Sequence, residues 1–330
     1  MKNSPLKSLL RIRGMGPALT AFAGLVVIYA AFGFINTTVF SMPNVMNLLR
    51  SMSKYLLVGI GQSYVLITGN IDLSIGSVAA MSAMISATLM TKGISILMAM
   101  IIALVCCLLV GAVNGILVGK FKLPPFIATL GTMFVARGAA YMVNGNRNTN
   151  AISSGIGKEA ADSFQNLLYY GNTFGVYNTF LICMALFAVF FFLLSKTRTG
   201  RHIYAIGSNI EAAKLSGVNV QATIIKTYLI SSFCAFVVGL ILCAQAGMGN
   251  MEAGNMYEMY GVAAGVIGGI SPLGGTGILL GTLAGAAVWQ TLENGLSMIG
   301  AQVGIQRVVI GVIVVFAVLL DVVLRKRGKS

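Results

Sequence analysis

Three acidic side chains stand within or at the ends of long apolar runs of this chain: Asp72, Glu258 and Glu293. A carboxylate at the centre of a bilayer costs about 2.5–3.5 kcal/mol, so such residues normally face protein or water. Two roles fit Asp72. It could line a polar pathway, or it could cap a helix by accepting the amide hydrogens of the three residues that follow it. The two roles are compatible.

No set of residues for bond-making chemistry is present. The chain lacks a phosphate-binding loop of the pattern G-x-x-x-x-G-K-[ST], the zinc pattern H-E-x-x-H and a nucleophile elbow. His202 is the only histidine, and no acid or second histidine is placed to partner it. We therefore predict no catalytic residues, no metal and no cofactor, and if ATP drives this protein, another chain hydrolyses it.

The cysteines fall in apolar runs without a paired CxxC, so we expect their thiols to be packed between helices. They are Cys106, Cys107, Cys183, Cys234 and Cys243.

The composition is typical of a membrane protein. Hydrophobic residues make up 57% and charged residues 9% of the 330 residues, against about 25% charged residues in a soluble domain. A bilayer core about 30 Å thick needs roughly 20 mainly apolar residues per helix. The sequence therefore predicts an all-α polytopic membrane protein, in contact with lipid, whose single transmembrane domain covers residues 1–330.

The net charge of +14 comes from 22 cations and eight acids. The cations stand at the ends of apolar segments, which is where cytoplasmic loops retain Lys and Arg. No basic stripe is interleaved with exposed aromatic residues, as a single-strand binder would require, so no nucleic-acid partner is expected. Basic residues before the first apolar segment and after the last predict that both termini are cytoplasmic. The first segment lacks a cleavage site and is interpreted as a retained helix.

About ten transmembrane helices satisfy this distribution of charges. Arg50 and Lys54 would then face outward, which is a mild violation of the charge rule. Residues 144–174 form a predicted periplasmic loop, and residues 196–220 a cytoplasmic one. The second and eighth spans are short, so eight or nine crossings remain if either is re-entrant. The predicted spans are 18–35, 55–68, 73–91, 95–119, 124–143, 175–195, 224–246, 257–270, 276–293 and 303–323.

An internal repeat relates the two halves of the chain. Segments 69–80 and 254–264 each contain Gly-Asn, then an acid, then glycine and Val-Ala-Ala. Asn114 and Asn294 are each followed by glycine, and another glycine stands seventeen residues after each asparagine. In a chain with 40 glycines such matches also arise easily by chance.

The predicted topology strengthens the repeat. The first unit, spans 2–5 (55–143), begins by going inward, and the second, spans 7–10 (224–323), begins by going outward. This is the inverted repeat from which many transporters build a gated pathway, and short segments interrupted by Gly and Asn point to that pathway. We therefore predict that the following residues line it: Asn70, Asp72, Ser74, Asn114, Glu258 and Asn294.

The polar segment 196–220 separates the two repeat units. Residues 205–215 can form a short helix, with Asn209 as a cap and Gly217 ending it. A short helix between spans has little to do for the membrane domain itself, so we interpret it as a docking element for a cytoplasmic partner. Five cations lie in or just after the segment: Lys196, Arg198, Arg201, Lys214 and Lys226.

Several motifs, in order, resemble those of ABC importer permeases of the ribose and galactose type. Residues 211–217 look like the Glu-Ala-Ala loop of those permeases, and residues 197–209 look like the version found in the monosaccharide subfamily. Segments 69–77, 125–138 and 257–269 resemble further signatures, and the resemblance spans about residues 40–322. It implies that these residues couple to an ATPase: Arg201, Gly207, Asn209, Glu211, Ala212, Ala213 and Gly217.

The resemblance implies a permease subunit of the bacterial inner membrane that works as a pair of copies. Its partners would be a cytoplasmic ABC ATPase and a periplasmic sugar-binding protein, and the solute a small sugar. Departures from the family pattern at Asn70, Ser208, Tyr260 and Pro272 leave the particular sugar open. An ion-coupled secondary transporter of a small polar solute is the alternative, favoured by the inverted repeat and Asp72. A channel or exporter is a third class.

Overall fold

The structure is a computed structural model, and it describes residues 15–313 and residue 315. The chain is mostly helical. A 3₁₀ helix (Thr37–Phe40), a π-helical turn (Asn166–Tyr170) and an antiparallel hairpin of β1 (Asn172–Thr173) and β2 (Val176–Tyr177) complete it. The α-helices are α1 (Met15–Ile35), α2 (Met42–Ile67), α3 (Ile75–Thr91), α4 (Ile96–Gly119), α5 (Pro125–Met142), α6 (Ser153–Ile156), α7 (Lys158–Gln165), α8 (Asn178–Lys196), α9 (Arg198–Ser208), α10 (Ile210–Leu215), α11 (Val220–Ala246), α12 (Tyr257–Ile267), α13 (Leu279–Met298) and α14 (Val303–Ile313).

Each predicted span overlaps one of these helices within the described residues. Four helices (α1, α4, α8 and α11) are long and apolar enough to cross a membrane by length and composition. The count of ten crossings stays a prediction. The end of the tenth predicted span, the basic tail and the N-terminal cations Lys2, Lys7, Arg11 and Arg13 lie outside the described residues.

The helix that contains the second predicted span begins before residue 55. Helix α2 begins thirteen residues earlier, at Met42, with Pro43 in its first turn. Arg50 and Lys54 therefore lie inside the helix, and other parts of the chain hold them. The Lys54 Nζ donates to the Gln245 Oε1 at 2.8 Å, and the Arg50 guanidinium lies over the rings of Tyr169 and Tyr177, at 4.6 and 4.1 Å from their centroids.

Two long helices form the centre of the fold. All residues of α2 from Met52 to Ile67 are buried, and α11 packs against α2, α3 and α4. Helix α13 packs against α1, α2 and α12, and α8 also packs against α2. Because most of the other helices contact α2 or α11, these two helices define much of the arrangement of the bundle.

The peripheral helices expose apolar stripes. On α4, the side chains of Leu97, Ile101, Val105 and Leu109 are exposed, and each stands four residues from the next. Residues four apart lie on one face of a helix. A continuous apolar face of this kind is expected where a helix contacts lipid tails, because no burial in protein is needed for it.

The bundle has two distinct ends. One end carries residues 144–177, which fold into α6, α7, the π turn and the hairpin. The sequence predicts a loop over most of this segment, residues 144–174. We call this end of the bundle the loop end. Thr149 and Gly249 exchange two hydrogen bonds there, which joins this segment to the turn before α12. The other end carries α9 and α10, and we call it the coupling end.

Helices α12 and α13 approach each other backbone to backbone. A Cβ atom on Gly285 would lie 2.0 Å from the carbonyl oxygen of Ala264, and one on Gly281 would lie 1.9 Å from that of Gly268. Such contacts are possible only without side chains, and small residues commonly permit them between membrane helices. Helix α12, with 11 residues, is about 16 Å long, which is too short to cross a bilayer core.

We expect the substitution Gly285→Ala to destabilise the fold by about 1–3 kcal/mol, because its methyl group would overlap the Ala264 carbonyl and force α12 and α13 apart. Thermal unfolding of the chain in lipid nanodiscs measures the effect as a lower melting temperature. Gly131→Ala is the matched control, since no atom lies within 4 Å of its added methyl group. Equal melting temperatures for the two variants would contradict the close packing.

Candidate coupling surface and buried polar network

Helix α9 lies against the bundle by one face. Ile203 and Ile206 are buried, while Arg201 is exposed. The Tyr204 hydroxyl donates to the Gly277 carbonyl oxygen at 2.6 Å. Burial raises the pKa of the Tyr204 phenol to about 12, so it remains protonated and a donor at neutral pH. The helix is thereby fixed to the loop that precedes α13.

Gly207 brings three segments together at the coupling end. A Cβ atom at this position would lie 1.8 Å from the carbonyl oxygen of Ile67 and 2.5 Å from the backbone nitrogen of Gly275. The Gly275 amide donates to that same Ile67 oxygen at 2.8 Å. The end of α2, the loop before α13 and helix α9 therefore meet through backbone atoms alone, and this explains why glycine occupies position 207.

The short helix predicted over residues 205–215 is two helices with a break at Asn209. The backbone of Asn209 is extended (φ −164°, ψ 108°), so α9 ends before it and α10 starts after it. Its side-chain oxygen accepts the amide of Ala212 at 2.9 Å, which confirms Asn209 as the cap of α10. Gly217 has φ +80° and follows the last turn, as expected of a glycine that ends a helix.

Helix α10 presents most of its surface to solvent. Only Ala213 is buried, and Leu215 exposes 89% of its surface. Glu211 and Ala212 are exposed beside it. Most of α10 is therefore accessible to another protein. The five cations of this region are exposed as well: Lys196, Arg198, Arg201, Lys214 and Lys226.

A cleft of about 520 Å³ opens beside α9. Arg201, Tyr204 and Ser208 line it on one side, and residues 275–278 line it on the other. The cleft thus lies between the predicted coupling segment and the loop before α13, next to the contact made by Gly207.

The carboxylate of Asp72 is completely buried and fully hydrogen-bonded. Its Oδ1 atom accepts the amide of Ser74 at 2.9 Å and the hydroxyl of Ser74 at 2.6 Å, and its Oδ2 atom accepts the hydroxyl of Ser231 at 2.6 Å. Helix α3 begins at Ile75. Asp72 therefore binds one of the three amides expected for a cap, and its second oxygen binds α11 instead.

The hydrogen bonds continue from Asp72 across the bundle. Asn114 on α4 donates to the Ser74 hydroxyl at 2.9 Å and accepts from the Thr132 hydroxyl on α5 at 2.6 Å. Four elements, α11, the start of α3, α4 and α5, are joined by one chain of buried polar side chains. Of the predicted pathway residues, this network brings together Asp72, Ser74 and Asn114.

The other three predicted pathway residues lie outside this chain of hydrogen bonds. Asn70 donates to the Thr68 hydroxyl in the turn after α2. Asn294 on α13 exchanges two amide hydrogen bonds with Asn44 on α2, at 2.9 and 3.1 Å. Glu258 in the first turn of α12 lies against the backbone of α3, because a Cβ atom on Gly76 would be 2.4 Å from its Oε2 atom. Glu258 therefore lies near the start of α3, close to the network, and the lining of a pathway by the six residues stays a prediction.

A second polar cluster surrounds Glu293, and the sequence did not predict it. The Tyr55 hydroxyl of α2 donates to the Glu293 Oε2 of α13 at 2.8 Å, and Tyr257 and Tyr260 of α12 contact the Tyr55 ring. The rings of Trp289 and Tyr260 are in contact, with centroids 4.9 Å apart and planes inclined at 38°. The sequence singled out Glu293 only as an acid in an apolar run, and its spacing from Trp289, four residues along one helix, was the available signal.

Comparison with known proteins gives consistent relatives over most of the chain. The profile of a family described as "Branched-chain amino acid transport system / permease component" matches residues 44–318. The ribose import permease of Haemophilus influenzae is 33% identical over 301 residues, which cover 91% of this chain and 92% of the relative. The D-allose transport permease of Escherichia coli is 32% identical over 304 residues (92% and 90%), and the galactose/methyl galactoside import permease of Salmonella typhimurium is 32% identical over 309 residues (90% and 91%).

The chain belongs to the ABC sugar importer permease family. No solved structure matches it. Membership, together with the apolar helices, makes the protein a multi-pass permease of the inner membrane. The resemblance seen in the sequence motifs is thereby confirmed, whereas the orientation of the termini stays a prediction.

We expect Thr132→Val to destabilise the fold by about 1–3 kcal/mol, because the variant leaves the buried Asn114 Oδ1 without a donor. Thr129→Val is the matched control: it removes only a hydrogen bond to the Pro125 carbonyl within the same helix. Thermal unfolding in nanodiscs measures both. If both variants melt at the same temperature, the chain of hydrogen bonds does not join α4 to α5.

Asn209→Ala is expected to fray α10, because the Ala212 amide loses its side-chain acceptor, at a cost of about 1 kcal/mol. Hydrogen–deuterium exchange of residues 210–217 should then be faster than in the wild type. Asn209→Asp keeps an acceptor at the same place and should exchange as the wild type does. The cap assignment is wrong if the Ala and Asp variants exchange alike.

Proposed function

We propose that the chain is the membrane-spanning permease subunit of an ATP-driven sugar importer, in which α9 and α10 dock onto a separate cytoplasmic ATPase. The observation that carries the proposal is α10 itself. It is a short helix capped by Asn209 and ended by Gly217, it exposes Glu211, Ala212 and Leu215, and it is connected through α9 to the core of the bundle. The chain contains no phosphate-binding loop, so the ATPase is a partner chain.

An inverted repeat of α2–α5 and α11–α14 is part of this proposal. Each unit starts with a long helix of 26 or 27 residues, and each continues through a turn with a positive-φ glycine, Gly69 in one and Gly254 in the other. In each, a shorter helix follows. Ten crossings with both termini in the cytoplasm agree with these units, with the eighth predicted span, 257–270, formed by α12 and the three residues after it.

The substrate class follows from the relatives. Their names specify ribose, D-allose and galactose or methyl galactoside, so a monosaccharide is the proposed cargo rather than a branched-chain amino acid. The loop end, in the periplasm, is the proposed docking surface for a sugar-loaded binding protein. A second copy of the chain completes the pathway. Selectivity then lies largely in the binding protein.

A mechanical route follows from the contacts at the coupling end. Closure of the ATPase on bound ATP would displace α10 and, with it, α9. Gly207 contacts both the end of α2 and the loop before α13, so a displacement of α9 reaches both repeat units at once. Rocking of the two units against each other would then move the opening from one face of the membrane to the other.

Leu215→Asp tests the docking assignment, because it places a charge on the most exposed apolar residue of α10. We expect at least a tenfold loss of ATPase co-purified with the permease, since charge is depleted from the centre of protein interfaces. Phe174→Asp is the control: Phe174 is 98% exposed but lies at the loop end. Undiminished co-purification with Leu215→Asp would contradict the assignment.

Measurements of sugar uptake into vesicles distinguish the ATP-driven importer from the ion-coupled transporter. In proteoliposomes that contain the permease, its ATPase and its binding protein, uptake should require ATP and persist without an ion gradient. Uptake that instead follows a proton or sodium gradient without ATP would overturn the proposed function. Burial of both Asp72 oxygens in hydrogen bonds to serine favours the ATP-driven mechanism, because no oxygen is left open to an ion.

A further inference from the structure

A cavity of about 580 Å³ lies between α12, α13 and α14. This volume is within the range of small-molecule sites. Trp289 and Tyr260 form part of its wall, and Val266 and Ile310 supply apolar surface. The cavity is nearer the loop end, because α12 and α14 begin there and α13 ends there.

Polar groups converge on this otherwise apolar cavity. Glu293 lines it from α13, and Gln306 and Arg307 line it from α14. One carboxylate oxygen of Glu293 accepts from Tyr55, which orients the group. Charged side chains inside membrane-spanning segments are costly, so they normally face a site or pathway rather than lipid. An acyl chain would offer no further hydrogen bond to the carboxylate and none to the guanidinium.

The aromatic residues form a rigid wall. Tyr260 contacts Trp289, Tyr55 and Tyr257, with ring centroids 4.9, 5.5 and 5.7 Å apart. A sugar ring has an apolar face of C–H groups and a rim of hydroxyls. The aromatic rings of Tyr260 and Trp289, inclined at 38° to each other, line the cavity beside a carboxylate, an amide and a guanidinium. This combination matches both features, since the carboxylate accepts from hydroxyls and the guanidinium donates to them.

We propose that this cavity is a contact site for the monosaccharide in transit, with Trp289 and Tyr260 against the sugar ring and Glu293 and Arg307 on its hydroxyls. The proposal rests on the proposed function for the identity of the cargo. It differs from the pathway predicted from the sequence, because the buried network of Asp72, Ser74 and Asn114 joins helices whereas this cluster faces an open cavity.

Trp289 is the only tryptophan of the chain, so its fluorescence reports on this cavity alone. The full-length permease in nanodiscs, without partners, is titrated with D-ribose and with D-galactose, and with betaine as an osmotic control. We expect a saturable change in emission with at least one sugar and none with betaine. No saturable response to either sugar would overturn the proposal, and so would strong quenching by brominated acyl chains without a sugar response.

Glu293→Gln is the decisive variant. The amide oxygen can still accept from Tyr55, which keeps the fold, but the charged acceptor for sugar hydroxyls is lost. We expect an apparent affinity about tenfold weaker. Glu252→Gln, which changes an exposed carboxylate at the loop end outside the cavity, should titrate as the wild type does. Identical titrations for wild type and Glu293→Gln would overturn the site.

Sugar uptake tests the cavity site and the importer assignment independently of each other. In proteoliposomes with the ATPase and binding protein, Glu293→Gln should lower sugar uptake about tenfold while ATP hydrolysis stays dependent on the loaded binding protein. Unchanged uptake by Glu293→Gln alongside ATP-driven uptake by the wild type would overturn the site and leave the importer assignment intact. Absence of ATP-driven uptake in the wild type, with the Trp289 titration intact, would overturn the importer assignment instead.

Discussion

The requirement that buried polar groups be hydrogen-bonded governs the arrangement of this bundle. Asp72 has no access to water, and its two oxygens are satisfied only if α11 supplies Ser231 and the turn before α3 supplies Ser74. Asn114 on α4 and Thr132 on α5 are buried as well, and they are hydrogen-bonded only because these two helices lie next to Ser74 and to each other. Apolar packing between membrane helices has little direction, because lipid tails are equally apolar. The polar chain therefore specifies which helices are neighbours and in what register.

The positions of the apolar helices could be predicted from the sequence because hydropathy is a local property. The start of α2 could not, because what permits Arg50 and Lys54 inside a helix is distant in sequence: the rings of Tyr169 and Tyr177, and the amide of Gln245, 191 residues from Lys54. A cation in an apolar run does not by itself indicate which distant residue will contact it. The same limit applies to residues 144–177, whose small folded elements depend on contacts with α11 and α2.

Some residues of the candidate sites could be predicted from the sequence, and others could not. Asn209 and Gly217 could be identified because capping depends on a few adjacent residues. Asn70 and Asn294 were selected by residue type and by their place in a repeat, and their hydrogen bonds are made outside the network, to Thr68 and to Asn44. The cluster around Glu293 was missed because its aromatic wall draws on α2, α12 and α13, with residues more than 200 positions apart in the sequence.

The contact at Gly207 has a consequence for stiffness. Side chains between two elements can change rotamer and absorb a small displacement, but the end of α2, the loop before α13 and α9 touch there without any intervening side chain. Backbone atoms held by an amide hydrogen bond have no such freedom. We therefore expect the junction to be stiff, so that a small displacement of α9 also displaces the end of α2 and the loop before α13. For the same reason, a larger residue at position 207 would not fit.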